Sequence, residues 1–161
     1  MNVNVMGGRG LVRWIHKVKT ILSNVKSVRV GVPKSAGNYE KGPHTAVIAA
    51  MHEFGSDDGR IPERSFLRAG VNEALPEIKK IHENFMPEIL EGKASADTMQ
   101  RMVGEVAQGS ITELIELGID PPNAPSTIAK KGSDTPLVDT GHLRQSIKYE
   151  LVDPGNREWE S

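Results

Sequence analysis

A chain of 161 residues, 37% apolar and 4% aromatic, is long enough for one domain with a modest core, and it leaves a large share for loops, exposed helix faces or subunit contacts. The absence of cysteine excludes a disulfide framework, a thiolate metal site and a thiol nucleophile. No apolar run nears the ~20 residues of a membrane span, residues 1–10 lack the apolar centre of a signal peptide, and a net charge of −1 argues against a dedicated nucleic-acid binder, so a soluble intracellular chain is expected.

The distribution of charge is more informative than its total. Residues 1–39 hold Arg9, Arg13, Lys17, Lys19, Lys26, Arg29 and Lys34 and no acid, a local +7, while the remaining 122 residues carry 13 basic and 21 acidic groups, a net −8. Such a separation suits a nucleic-acid or membrane patch, or head-to-tail contact between copies of one chain. The last is favoured, because apart from Trp14 no aromatic residue interleaves with the basic ones.

The glycine-rich residues 1–10 lack the GxxxxGK[ST] pattern of a phosphate loop and are expected to be flexible. Leu11, Ile15, Val18, Leu22 and Val25 then recur at steps of four and three, predicting an amphipathic helix whose other face carries Arg13, Lys17 and Lys19. The period switches next: Val28, Val30 and Val32 alternate with Ser27, Arg29 and Gly31 in a strand that Pro33 ends. After the turn-rich loop KSAGNYEKGP, the spacing of Val47, Ile48, Met51 and Phe54 predicts a helix with Thr45 as N-cap and Gly55 as its stop. His44, His52 and Glu53 do not form HExxH, so surface or capping histidines are expected there, not a metal site.

Ser56-Asp57-Asp58-Gly59 is a turn too short for a calcium loop. Ile61 to Arg68 reads as an extended arm leading into a helix built on Val71, Leu75, Ile78, Ile81, Phe85, Ile89 and Leu90, in which Pro76 and Pro87 predict kinks or two shorter helices. Another helix starts at Ser95, sets Met99, Met102, Val103, Val106, Ser110, Ile111, Leu114 and Leu117 on one face, and stops at Gly118. Its interior Gly104 and Gly109 read either as points of close packing or as marks of a weak helix. A Pro/Asn/Ser-rich loop follows from Pro121. Asp139 or Thr140, with Gly141, is placed to start a single helical turn through His142-Leu143-Arg144. Ile147, Tyr149 and Leu151 form the buried face of a closing strand, opposite Lys148, Glu150 and Val152. The expected architecture is α+β: a single domain over 11–152 with a small antiparallel sheet, several helices and long loops, and a mobile tail at 153–161.

No nucleophile elbow, carboxylate pair or cofactor fingerprint emerges, so no enzyme, cofactor or resident metal is expected. Val138-Asp139-Thr140-Gly141 matches the apolar-Asp-Thr-Gly signature of dimeric aspartic proteases, whose two carboxylates share a proton. Only 22 residues follow Asp139, too few for the flap and second half of such a cleft, which favours a structural turn. A small nucleic-acid-binding module is a further alternative.

Two motifs in order carry a family resemblance. Ala49-Ala50-Met51-His52-Glu53-Phe54-Gly55 followed by Ile61-Pro62-Glu63-Arg64-Ser65-Phe66-Leu67-Arg68 resembles the IHEFG and IPARPFLR segments of tailed-phage neck and tail-completion proteins. Ser126 to Gly132 with Pro136 to Ile147 is similar to their TIxRKGS and PLIDTGxLRxSI segments. The likeness covers roughly residues 44 to 150 and points to the minor tail proteins of lambda-like phages and the virion-morphogenesis proteins of Mu-like phages. It implies a structural virion protein, made in the host cytoplasm, that forms a homo-oligomeric ring (six-fold or a multiple) at the head–tail junction or tail top. Its partners would be other neck and tail proteins, with non-specific contact to DNA in the channel and none to membrane. In that light the arm would present Phe66 as an apolar anchor to an adjacent subunit beside Leu67, with Arg64 and Arg68 pairing acids there and Arg13 and Lys17 facing a neighbour. Glu63 and Ser65 stand where the family often has Ala and Pro, so the arm is expected to be less rigid here.

Overall fold

A computed structural model of the chain describes residues 8–39, 42–131, 137 and 141–156. The order is α1 (Gly8–Ser23), β1 (Ser27–Gly31), a 3₁₀ turn (Lys34–Ala36), α2 (Thr45–Phe54), α3 (Phe66–Glu91), α4 (Ala96–Leu117), α5 (Pro125–Lys131), α6 (His142–Gln145) and β2 (Lys148–Val152). Among the described residues this is an α+β arrangement of six helices and one two-stranded antiparallel sheet.

The centre is a helical hairpin. Ser95 caps α4 by accepting from the Asp97 amide at 3.2 Å, and Gly92, in the left-handed region, ends α3. Small residues let the two helices close. A Cβ on Gly70 would stand 2.7 Å from the Ile111 Cα on α4, and Ser110 Oγ donates to the Gly70 carbonyl at 2.8 Å. Gly104 plays the same part toward the sheet, since a Cβ there would stand 2.2 Å from Cδ2 of the Tyr149 ring. Gly109 meets nothing, so one of the two interior glycines is a packing point and the other is not. The buried face of α4 therefore runs through Met99, Val103, Gly104, Ala107, Ile111 and Ile115. Met102 and Leu117, expected inside, are exposed, because the small residues shift the seam around the helix.

α3 is continuous for 26 residues, so Pro76 and Pro87 do not divide it into two shorter helices. Each proline denies a donor to the carbonyl four residues back, Asn72 and Glu83 respectively. All four residues are exposed, so those carbonyls are open to solvent.

β1 and β2 pair from Ser27↔Val152 to Gly31↔Lys148. Val28, Val30, Tyr149 and Leu151 share the face turned toward the helices, and Ile147 just before β2 is buried, as the alternation predicts; Val152, expected on the outward face, is buried instead, while Tyr149 and Leu151 are half-buried. On the other face Arg29 and Glu150 are directly opposite and bonded at 3.0 Å. The core has two lobes. One gathers Ala49, Phe66, Ile111, Ile115, Leu137, Leu143 and Ile147; the other gathers Ile81, Ile89, Met99 and Val103, with Ile21 and Val28 against it.

Candidate interaction surface

The first motif folds into a buried polar knot. Glu53, at the end of α2, is 2% exposed and aims its carboxylate at the start of α3. It accepts from the Leu67 amide at 2.8 Å, the Arg68 amide at 3.3 Å, Ser65 Oγ at 2.8 Å and Arg68 Nε at 2.8 Å. The first amides of a helix lack intrahelical partners and carry a partial positive charge, so a carboxylate from a neighbouring helix both satisfies and neutralises that end. Ser65, the residue before α3, makes no capping bond of its own and serves Glu53 instead. The same ion pair, led by the bond to Glu53, raises the Arg68 guanidinium above its ordinary value, and Arg68 also reaches Glu63 at 2.7 Å.

Arg64 is 5% exposed and turns the other way. Its Nε donates to the Pro121 carbonyl at 2.7 Å and its Nη2 to the Pro122 carbonyl at 3.0 Å, tying the segment after α4 to the segment before α3. Burial pushes this guanidinium below its ordinary value. Gly55 has φ 74°, the stop expected for α2, and a Cβ on it would press against the Glu63 amide at 3.0 Å.

These bonds correct the expected arm. Phe66 is 0% exposed in the first core lobe, Arg64 is spent on its own backbone, and Leu67 packs half-buried against the same lobe. A segment that receives a buried carboxylate and inserts a phenylalanine into the core cannot also offer both to a neighbour. Arg68 alone of the four stays at the surface, held by Glu53 and Glu63 with its guanidinium carbon 5.4 Å from the centre of the Phe54 ring.

The second motif lands on the first. His142 opens α6, and its Nε2 lies 2.9 Å from Thr45 Oγ1. The single hydroxyl proton of Thr45 goes to the Gly37 carbonyl at 2.9 Å, so Thr45 accepts here and His142 donates. Thr45 is thus a buried link, and His44, not Thr45, caps α2 by accepting from the Ala46 amide at 3.1 Å. Gly141, with φ 75°, is the residue preceding α6. Asp139 and Thr140, expected to cap that turn, lie outside the described residues. The loop expected after Pro121 contains α5, which starts on Pro125, where a fixed φ suits a first helical turn.

A cleft of 1130 Å³ opens between the motifs, with Tyr39, His52, Arg64, Pro121, Asn123 and His142 in its wall. Two of its polar groups serve the fold: Arg64 the proline carbonyls, and His142 the Thr45 hydroxyl and, edge-on, the Tyr39 ring at 4.7 Å.

Apolar surface without cover lies elsewhere. α1 has no buried residue, and Leu11, Trp14, Ile15 and Leu22 along one stripe are about half exposed. Arg13 and Lys17 stand exposed on its flank, as predicted. On α2, Val47 and Phe54 are two turns apart on one face, with exposed Ala50 between them, and Phe54 is 68% exposed. The spacing of the valines and of Leu11 to Leu22 was enough to find α1, but nothing in the α2 run distinguishes its outward Val47 and Phe54 from its inward Ala49. Comparison of the chain with protein-family models, curated proteins and solved structures finds no match.

Proposed function

We propose that this chain is a non-enzymatic structural protein of a tailed-phage virion, a neck or tail-completion component that assembles as a ring at the head–tail junction or the top of the tail. The observation that carries the reading is the convergence of its two motifs. Residues from the first (Ala49, Phe66) and from the second (Leu137, Leu143, Ile147) share one core lobe although 71 to 98 positions separate them in sequence. A pair of motifs that packs together is a signature of a fold, so the resemblance to neck and tail-completion proteins rests on residues that depend on one another. The ring is supported by the opposed charges of residues 1–39 and the remainder, and by the uncovered apolar faces of α1 and α2.

The test is electron microscopy of particles made without this gene, with gels of the same particles. Full heads beside unattached or overlong tails are expected. Normal infectious particles would overturn the proposal. So would particles stalled with uncleaved precursors, if Asp139→Asn reproduced that defect.

A further inference from the structure

We propose that α1 of one copy lies antiparallel along the exposed face of α2 in a neighbouring copy, passing the contact head to tail from chain to chain. The inference rests on the ring assembly proposed above and names its interface.

Each half of the contact leaves apolar surface open within its own chain, although the Arg68 guanidinium lies 5.4 Å from the centre of the Phe54 ring. α1 touches the body through Ile21 near its C-terminal end, which leaves Leu11, Trp14 and Ile15 standing clear in its first turns. The Val47–Ala50–Phe54 stripe is open on the same molecule that carries the open α1, so neither covers the other. An apolar helical stripe flanked by cations fits an apolar face rimmed by anions. α1 has Arg9 and Arg13 toward its N-terminal end, and α2 is followed at its C-terminal end by exposed Asp57 and by Asp58, the latter already paired with Arg60 at 3.2 Å. Antiparallel packing brings those ends together, sets Leu11, Trp14 and Ile15 on Phe54, runs Leu22 toward Val47, and opposes the two helix dipoles.

A second copy is the occupant the charges favour. The segment carrying α1 is +7 and the rest of the same chain is −8, so every copy offers both a basic docking helix and an acidic body. Because the two surfaces differ, the contact is heterologous, and such contacts close into rings when the rotation permits.

The absence of cysteine makes the test direct. Full-length Ile15→Cys and Phe54→Cys chains are prepared separately, mixed, and treated with a short bismaleimide. A crosslink confined to the mixture is expected. In analytical ultracentrifugation Ile15→Asp should weaken self-association at least about tenfold, and its melting temperature, taken at a dilution where both chains are monomeric, should stay unchanged because Ile15 is exposed in its own chain. Ile15→Cys crosslinking to itself would overturn the proposal in favour of two α1 helices paired face to face. A chain that stays monomeric at every concentration, or whose Trp14 is shielded by anionic lipid vesicles and not by a second copy, would overturn it as well. None of these failures touches the particle phenotype, which tests the virion role separately; a normal phenotype would leave the crosslink to be judged alone.

Discussion

Glu53 concentrates more of the fold in one side chain than any other charged residue described, since four donors from the start of α3 end on it. Glu53→Ala strands the Leu67 and Arg68 amides in a buried place and should cost roughly 2–4 kcal/mol, read as a lower denaturation midpoint at unchanged slope. Arg68→Ala, which removes an exposed, solvent-screened partner and leaves the capping bonds, should cost much less than Glu53→Ala. Equal losses in the two variants would refute the capping role. The glycines give a second comparison. Gly70→Ala drives a methyl into the Ile111 backbone and should destabilise by about 1–3 kcal/mol, whereas Gly109→Ala fills open space on a helix and should stabilise by about 0.5–1 kcal/mol. Thermal melts of the two should move in opposite directions. Glu53 was not legible as a cap in the sequence, because capping patterns are read from neighbours and its helix lies 12 to 15 positions away. Phe66 was misjudged for a related reason: an arm between Pro62 and a helix looks the same on paper whether it projects or tucks in.

At the level of elements, periodicity found what depends on one helix or strand alone. Both strands, α1, α2 and α4 appear where apolar spacing puts them, and Ser95, Gly55 and Gly118 end them as expected. It misread what depends on a neighbour, as with the seam of α4, whose position is decided by Gly104 facing Tyr149. α3 shows the limit of a local rule. Proline costs about 3 kcal/mol in a helix interior because of a lost bond and a clash, yet Pro76 and Pro87 sit where solvent can satisfy the freed carbonyls. Pro76→Ala should restore a donor to the Asn72 carbonyl and stabilise the chain by about 1–2 kcal/mol, raising the melting temperature by roughly 2–8 °C. A lower melting temperature would mean that the ring itself is packed against something.

The whole molecule is tied together by contacts between distant parts. β1 and β2 pair residues near the two ends of the described chain, and the Arg29–Glu150 bond spans 121 positions. The α3–α4 hairpin joins neighbours across a four-residue turn. Closing the long connection carries the larger entropic cost, so the hairpin should form first. Pulse-labelled hydrogen exchange during refolding should protect Ile81, Met99 and Val103 amides before those of Val30 and Tyr149; the reverse order would refute this. On the ribosome the difference becomes one of waiting. At about 5–20 residues per second, β1 is made roughly 6–24 s before its partner strand. Throughout that interval α1, basic and with an apolar stripe about half exposed, has already been made and has no paired sheet behind it. A cell making many copies side by side would thus present α1 to its neighbours before each copy is finished, and the timing of translation itself would govern how cleanly the chains sort into assemblies instead of aggregates.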